Sequence, residues 1–401
     1  MKKIISLIMV SIVFFTVATG CGKKNKGNEE ISLYYNTEDI KTFNIANEII
    51  NEFEKEYGIK VNIHPFTDNK EIEKNINEGK ENSVLLLDGY NFTKFANNNY
   101  LRDLGYLYKS KDTREKFSYI TNIYAIYNNR YYGIGLMPYS LELIYNNSLL
   151  KDVGITVEDN NINDLFKKLN DKSIKIPTHI KSQYSKEVLL SALVANDSII
   201  YDLYKINNVN DIDQKIDAIE NGQEIFKRLN DLYVSNTIRE DMFIDGGEEV
   251  IKDFNDGKYP AILTTTLASN GIRDGNDIGL ANKMHLSNDM INAPVGVDFI
   301  VCSSIGNSKG DEVDKFLRFL LRTEPFELLS KKNCITGNKM GDSNLNGIHI
   351  KMANSIHAAA EINILYIDSI APNKVERIDK ELKNVLNGKY DGNEWNRVKG
   401  K

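Results

Sequence analysis

Polar and aromatic side chains follow two short apolar runs near the amino terminus, and their chemistry suits hydrogen bonding and ring contacts. The candidates are Tyr35, Asn36, Thr37, Asp88 and Tyr90. A carboxylate such as that of Asp88 accepts hydrogen bonds from hydroxyl groups, and a tyrosine offers both a ring face and a hydroxyl. Each residue also has an ordinary structural role, because Asp, Asn and Thr are common helix N-caps and tyrosines often pack half-buried. The pattern therefore predicts non-covalent binding and leaves capping and packing open.

Residue patterns that carry covalent or metal chemistry are missing from the sequence. We find no Gly-x-Ser-x-Gly, no His-Glu-x-x-His, no phosphate-binding loop and no paired-cysteine motif. The histidines are scattered along the chain: His64, His179, His285, His349 and His357. The last two are eight positions apart, slightly more than two helical turns, whereas a metal site usually takes three or four ligands. We therefore predict no enzyme activity, no cofactor and no metal site.

The first residues have the order of a bacterial export signal. Two lysines precede Ile4–Val17, an apolar run shorter than the roughly 20 residues that a membrane-spanning helix needs. Small residues then lead to Cys21, a pattern that resembles a lipoprotein lipobox. We predict a cleaved signal peptide over residues 1–20, a lipid anchor on Cys21 and a flexible tether over residues 21–30. An uncleaved membrane helix is the alternative.

Length and charge limit the classes of protein that fit. The chain has 401 residues, more than one hydrophobic core usually holds, which favours two lobes. Its formal net charge is −6 and no basic patch stands out, so nucleic acid is not an expected partner. The spacing of Cys302 and Cys334 alone does not establish whether they pair. Trp395, the only tryptophan, is expected in an exposed tail.

Strands alternate with helices in the folded part, which starts near Ile31. Apolar residues recur at helical spacing from Phe43 to Tyr57, Gly58 ends that helix, and alternating residues over 59–63 predict a strand. A β-α-β unit of this kind predicts a parallel sheet with helices on its faces. Because ligands of such sheets gather where the strands end, the candidates around Asp88 are expected at one rim.

Several longer segments resemble, in order, those of the bacterial extracellular solute-binding proteins of the maltose-binding type. They are Phe53–Val61, Asp88 with Tyr100–Leu104, Tyr131–Tyr139 leading into Leu143–Leu150, Phe254–Leu263, Val295–Val301, Asp314–Leu321 with Pro325–Leu329, and Lys374–Leu386 with Gly388 and Lys389. The resemblance covers most of the chain beyond the tether. It implies an α/β fold of the periplasmic-binding-protein type, a clamp of two α/β lobes joined by crossing hinge strands.

The same resemblance implies the division of the chain and its function. The first lobe would comprise residues 31–138 and 294–322, and the second lobe residues 139–293 and 323–395. The protein would be a monomer, and its lipid would hold it at the extracellular face of the cell membrane. It would capture a sugar or oligosaccharide by lobe closure. It would deliver that solute to the permease of an ABC importer.

Further binding residues are implied by position within the resemblance. They are Tyr139, Ser140, Thr265, Asp298 and Tyr366. Ser140 stands where the maltose-binding type has a ligand-contacting acid, and Thr265 lies where many sugar binders carry a tryptophan. Core packing explains Tyr366 equally well, and Asp298 is also suited to capping a strand end.

Two other functions remain open. The same fold would accept a peptide, a polyamine or a metal chelate if its rim were different, and a cationic solute would call for several acids and aromatic rings together in the cleft. A lipoprotein that uses the clamp as a sensor or adhesion module, binding a protein, is the other alternative.

Overall fold

The computed structural model describes residues 29–67, 69–77, 83–159, 161–205, 215–286, 289–306 and 310–400. The predicted signal peptide, the predicted lipidation residue Cys21 and most of the predicted tether lie outside these ranges. Within them, no helix combines the length and the apolar character needed to cross a bilayer.

The strands in the described ranges are short except where the chain crosses the middle of the molecule. They are β1 (Glu30–Asn36), β2 (Lys60–Phe66), β3 (Ser83–Leu87), β4 (Ile126–Tyr127), β5 (Arg130–Tyr131), β6 (Gly133–Asn146), β7 (Ile176–His179), β8 (Phe243–Asp245), β9 (Ala261–Thr265), β10 (Ile278–Ala281), β11 (Lys283–Leu286), β12 (Asp289–Asn292) and β13 (Val295–Ser303).

The helices of the described ranges lie between and after these strands along the chain. They are α1 (Phe43–Tyr57), α2 (Asn69–Asn77), α3 (Gly89–Asn97), α4 (Lys111–Lys116), α5 (Tyr119–Tyr124), α6 (Asn147–Asp152), α7 (Ile162–Asp171), α8 (Lys186–Lys205), α9 (Lys215–Ala218), α10 (Gly222–Val234), α11 (Glu249–Asn255), α12 (Gly310–Leu320), α13 (Glu324–Ser330), α14 (Lys339–Asp342), α15 (Gly347–His357), α16 (Pro372–Leu386) and α17 (Glu394–Lys399). A 3-10 helix at Tyr366–Ser369 bears on the site described below.

The opening β-α-β unit forms as its sequence pattern predicts. Helix α1 buries Ala46, Ile49, Ile50 and Phe53 on one side, and it ends at Gly58, whose φ of 68° lies in the left-handed region that glycine adopts without strain. The next strand, β2, pairs in parallel with β1. The predicted first helix and its parallel strands are therefore confirmed.

One sheet runs through the whole molecule, and two strands carry it across the middle. Its order is β2-β1-β3-β13-β6-β9-β7-β8, with β10 also on β6. The first half of β6, Gly133–Ser140, pairs with β13, whereas its second half, from Leu141, pairs with β9 and β10. We call the part from β2 to the first half of β6 the first section and the remainder the second section. The predicted α/β clamp, with two halves joined by crossing strands, is confirmed.

The prediction of an exposed tail around Trp395 is wrong. The side chain is 4% exposed, its Nε1–H donates to the Ile219 carbonyl at 3.2 Å, and its ring lies beside Phe226. Helix α17 packs on α16 and α10, which brings a large apolar ring into the core of the second section. The residues before this helix are polar and include glycines, so the segment has the composition of an exposed tail although its tryptophan is buried by tertiary packing.

Replacing Gly222 by alanine is expected to destabilise the protein by about 2–3 kcal/mol. A Cβ at this position would lie 1.9 Å from Cε2 of the Trp395 ring, which is rigid and enclosed. The matched control is Gly275→Ala, where the nearest atom to an added Cβ is 3.7 Å away and no clash arises. Urea denaturation measures both, and an equal stability of the two variants would contradict the packing described.

The two cysteines beyond Cys21 do not pair. Cys302 and Cys334 are separate, buried thiols. Burial raises the pKa of the Cys302 thiol well above its usual range. Both therefore act as small core residues with little tendency to react.

Candidate functional site

Acidic and aromatic side chains from both sections meet where the two sections join. We call this set the aspartate–tyrosine site, and its members are Asp39, Asp88, Tyr139, Tyr184, Asp298 and Asp368. All except the half-buried Asp39 are at most 9% exposed. The first section supplies Asp39 and Asp88 from the residues that follow β1 and β3, while Tyr184 comes from the loop between β7 and α8.

Asp88 holds the start of α3 and faces a second carboxylate. Its Oδ1 accepts a hydrogen bond from the Asn91 N–H at 2.7 Å, so the side chain is the N-cap of the helix. The Asn91 side-chain amide in turn donates to Asp39 Oδ2 at 3.2 Å. Burial raises the pKa of Asp88 to about 8, with a further contribution from the charge of Asp39. Burial likewise raises the pKa of Asp39 to about 6.

Asp368 accepts two hydrogen bonds from tyrosines. Tyr184 donates to its Oδ1 at 2.6 Å, and the Tyr124 hydroxyl lies 2.7 Å from its Oδ2. Burial raises the pKa of Asp368 to about 7, although both hydroxyl donors lower it. The Asp368 main chain lies against Gly89, where an added Cβ would come within 2.9 Å of the Asp368 Cβ. Asp368 therefore sits directly beside the helix that Asp88 caps.

Tyr139 lies at the centre of the site on the crossing strand β6. Its ring covers Gly296, where an added Cβ would lie 2.9 Å from ring atom Cζ. The Ser182 hydroxyl donates to the Tyr139 hydroxyl at 3.2 Å. Burial raises the pKa of Tyr139 well above its usual range, and the charges of Asp368, Asp298 and Asp88 act in the same direction. The predicted residues Tyr139, Asp88 and Asp298 are thus brought together.

Asp298 is enclosed by the start of α1. Its Oδ2 accepts hydrogen bonds from the Thr42 N–H at 2.8 Å and from the Thr42 hydroxyl, and its Oδ1 accepts from the Lys41 N–H at 3.2 Å. Burial raises the pKa of Asp298, while these donors and the charge of Lys181 lower it. Its structural role is to hold the first turn of α1 rather than to cap a strand end.

The other predicted residues of the first section lie around the site with local partners. Asn36 accepts a hydrogen bond from the Glu38 N–H at 2.8 Å and so stabilises the turn after β1. The ring of Tyr35 stacks on Phe43 with centroids 3.8 Å apart, and Thr37 is exposed. Tyr90, half-buried, is on the first turn of α3.

The remaining predicted residues are buried in hydrogen-bonded packing. Ser140 donates to Glu142 on the same strand. Thr265 fixes the loop after β7, because its hydroxyl accepts from the Lys181 N–H at 3.1 Å and donates to the Lys181 carbonyl at 3.0 Å. Tyr366 is fully buried, and its hydroxyl lies 3.0 Å from that of Ser191. These contacts stabilise the neighbouring elements.

Sequence reasoning missed the residues that connect the predicted ones. They are Asp39, Tyr124, Tyr184 and Asp368. Asp39 follows Asn36 by three positions, so extending the strand-end rule along the whole turn would have found it. Asp368 and Tyr184 meet only through tertiary packing of distant segments, for which the sequence carries no periodic signal. In the part of the chain that the structure describes, no group of three or more His, Cys, Asp or Glu residues could hold a metal ion.

Comparison with known proteins connects this geometry to a family. The family described as bacterial extracellular solute-binding protein matches residues 48–339, most of the chain, including both crossing strands. This chain belongs to that family. Its members bind a small solute outside the cytoplasm, and the family is typically non-enzymatic, in agreement with the sequence patterns. A search of curated protein sequences finds no match to this solute-binding protein.

The fold of this solute-binding protein also recurs in solved structures. One comes from work on xylan utilisation by the thermophilic bacterium Caldanaerobius polysaccharolyticus. It superimposes with a TM-score of 0.62 at 14% identity, over 92% of this chain and 98% of that one. At this identity the likeness establishes the shared fold alone.

Proposed function

We propose that this solute-binding protein captures a sugar or oligosaccharide between its two lobes and delivers it to an ABC importer. In this proposal Cys21 carries the lipid anchor, the receptor is a monomer, and the lobes have the boundaries predicted from the sequence. The observation that carries the proposal is the meeting of Asp88, Tyr139 and Asp368 between the two sheet sections. Family membership supports solute capture as the general function.

The chemistry of the aspartate–tyrosine site suits a polyhydroxylated solute. Carboxylates accept hydrogen bonds from sugar hydroxyls, and tyrosines contribute a ring face for C–H groups and a hydroxyl for polar ones. In an enclosed site each such hydrogen bond contributes more to the binding free energy than it would in water. A missing hydrogen bond there leaves a buried polar group unsatisfied. A solute would add its own hydrogen bonds to these side chains as the lobes rearranged around it, while Tyr184 continues to hold Asp368 in place.

A cationic solute such as a polyamine is the second candidate, and a specific observation favours it. Asp39, Asp88 and Asp368 lie together with two tyrosines, and burial raises the pKa of all three acids. A cation would stabilise their ionised forms and would also interact with tyrosine faces. Many oligosaccharides stack on the ring of a tryptophan, and the single tryptophan of this chain, Trp395, is not near the site. This favours a cationic solute over an oligosaccharide that binds by such stacking.

A thermal-shift screen of the protein against sugars, peptides, polyamines and metal chelates tests the proposal. A solute at about 100 times its dissociation constant adds about 2.7 kcal/mol of stability, which a raised Tm reveals. A selective shift with one sugar class supports the proposal, and a shift with amines or peptides alone contradicts it. No shift with any compound, after refolding to remove copurified solute, would favour the sensor or adhesion function.

The number of protons exchanged on binding distinguishes the two solute classes. A cation requires ionised acids, so its binding near pH 7 should release protons and tighten as pH rises through the raised pKa values. A neutral sugar binds without requiring ionised acids, so its binding should not release protons in this way. Calorimetric titration in two buffers with different ionisation enthalpies counts the protons released.

Replacing Tyr184 by phenylalanine is expected to weaken binding of the solute by about 10-fold to 100-fold, since a hydrogen bond to a charged group contributes about 1.5–3 kcal/mol. The variant removes the hydroxyl that holds Asp368. Tyr119→Phe is the matched control, because it removes a hydroxyl bonded at the same distance, 2.6 Å, to Glu361 on the surface. Calorimetry measures both, and equal affinities would exclude Tyr184 from the site.

A further inference from the structure

One loop of the second section brings a lysine to the site without giving it a partner. The loop follows β7 and leads to α8, and two of its residues contact the aspartate–tyrosine site: Ser182 donates to Tyr139, and Tyr184 donates to Asp368. Lys181 directly precedes them and is half-buried. In the described ranges, its ammonium group donates no hydrogen bond and has no carboxylate oxygen within 4.0 Å.

The main chain of this loop is fixed by two threonines of β9. The Thr265 hydroxyl accepts from the Lys181 N–H at 3.1 Å and donates to the Lys181 carbonyl at 3.0 Å, and the Thr264 hydroxyl donates to the His179 carbonyl at 2.8 Å. The His179 ring is half-buried and makes no hydrogen bond with any residue that the structure describes. Burial lowers the pKa of His179, and the charge of the nearby Lys181 acts in the same direction. The loop therefore holds two basic side chains in place without binding either of them.

The charge of Lys181 acts on residues of both neighbouring segments. It lowers the pKa of Asp298 in the first section, which burial raises, and it lowers the pKa of Cys334, which burial raises to about 11. Asp298 is not an ion-pair partner, since its oxygens already accept from the N–H groups of Lys41 and Thr42 and from the Thr42 hydroxyl. The ammonium group thus lies near the join of the two sections, where the site also lies.

Two other lysines near the same join have partners. Lys41 donates to the Glu38 carbonyl, and Lys332 pairs with Glu48 at 2.7 Å. Enclosing an ammonium group without an acceptor costs free energy, because the group loses hydration and gains no interaction in its place. A molecule that binds at the join and carries an anionic group would supply Lys181 with the acceptor that the protein does not provide.

We propose that Lys181 binds an anionic group of the solute, so that the captured sugar is an acidic one with a carboxylate or a sulfate. The ring of His179 offers a second donor beside it. This inference rests on the proposed function, because it names the class of sugar that the same site takes. Lys181 would repel a cationic solute that reached it.

Calorimetric titration with matched acidic and neutral sugars tests the inference. The probes are oligosaccharides of glucuronic and galacturonic acid with their methyl esters, and sulfated disaccharides with their unsulfated forms. The wild type should bind an acidic probe at least about 10-fold more tightly than its neutral form. Lys181→Met should weaken binding of the acidic probe by about 10-fold to 100-fold, and Lys181→Arg should retain most of the affinity. Lys332→Met is the control, because it removes a lysine that already has a partner on the surface.

Each outcome decides the proposal. Acidic-probe binding that weakens in Lys181→Met and not in Lys332→Met supports it, and equal binding by Lys181→Met and the wild type overturns it. Binding of neutral sugars alone overturns the inference and leaves the proposed function intact. Binding of amines or peptides alone, or of no compound at all, overturns both.

The stability of Lys181→Met distinguishes binding from a structural role. Methionine keeps most of the apolar stem of lysine, and an ammonium group without a partner does not stabilise the fold. Lys181→Met should therefore be at least as stable as the wild type in urea denaturation without solute. A less stable variant would show that the ammonium group serves the fold, which contradicts the inference.

Discussion

Replacing Glu142 by glutamine is expected to make the protein's stability less dependent on pH between pH 4.5 and about pH 8. The wild-type protein loses stability as the pH rises through this range, and Glu142 contributes to that loss. Glu142 is fully buried on the second half of β6, and burial raises its pKa from 4.5 to about 8. The Ser140 hydroxyl and the Asn282 amide lower that pKa, but burial has the larger effect. The folded protein therefore holds a proton on Glu142 that the unfolded chain releases.

The direction of the pH dependence follows from these two pKa values. Below pH 4.5 both states carry the proton, and Glu142 leaves the free energy of unfolding independent of pH. Between 4.5 and about 8 only the folded state is protonated, so stability falls by about 1.4 kcal/mol per pH unit through this residue. Above about pH 8 both states are ionised and the loss is complete, at about 4–5 kcal/mol.

Urea denaturation at several pH values measures this slope. Glu142→Gln should reduce it by the contribution of one proton and should be more stable than the wild type above pH 8. Asp88 and Asp368 also have raised pKa values, so part of the wild-type slope remains in the variant. Glu115→Gln is the control, because Glu115 is 64% exposed and its replacement should leave the slope unchanged. Identical slopes for Glu142→Gln and the wild type would show that Glu142 is ionised in the folded state.

Replacing Asp298 by alanine is expected to destabilise the protein by about 3–5 kcal/mol, because it leaves several buried donors without an acceptor. These donors are the N–H groups of Lys41 and Thr42 and the Thr42 hydroxyl, at the start of α1. Thr42 is fully buried, so bulk water does not replace the lost carboxylate. Urea denaturation at neutral pH measures the loss.

Two further variants make the Asp298 result specific. Asp298→Asn keeps one acceptor oxygen and should lose less stability than the alanine variant. Asp103→Ala removes a carboxylate that accepts from the Gly105 N–H at 2.7 Å in an exposed loop, and it should cost less than about 1 kcal/mol. A loss for Asp298→Ala as small as that for Asp103→Ala would mean that the helix start does not depend on this carboxylate.

Local patterns were enough to predict the elements but not the path of the crossing strand. Helix α1 and strand β2 appear where apolar spacing and Gly58 indicated, because burial of one face and a left-handed cap are properties of neighbouring residues. The left-handed backbone of Met137, inside strand β6, has no such signal. Methionine and proline in an apolar run are typical of an ordinary strand start, and only the packing of two sections fixes their conformation.

The site was predicted in part for a similar reason. Asp88 and Tyr139 follow or lie on strands, so strand-end rules and the family resemblance both pointed to them. Asp368 lies on a short 3-10 helix, and it reaches the site because α3 and the loop before α8 approach it from different sections. Thr265 and Tyr366 were placed by family position alone, and the structure gives both of them buried partners. Position within a family identifies neighbourhoods better than it identifies the side chains that meet.

The burial of Trp395 determines which optical signals can follow this receptor. The single indole contacts Gly222 and Phe226 and bonds to Ile219, none of which belongs to the aspartate–tyrosine site. Its emission therefore reports unfolding of the second section and should change little when a solute enters. Tyrosine emission is the more informative signal for binding at the proposed site, since two of the 21 tyrosines lie in it and a third, Tyr124, bonds to it.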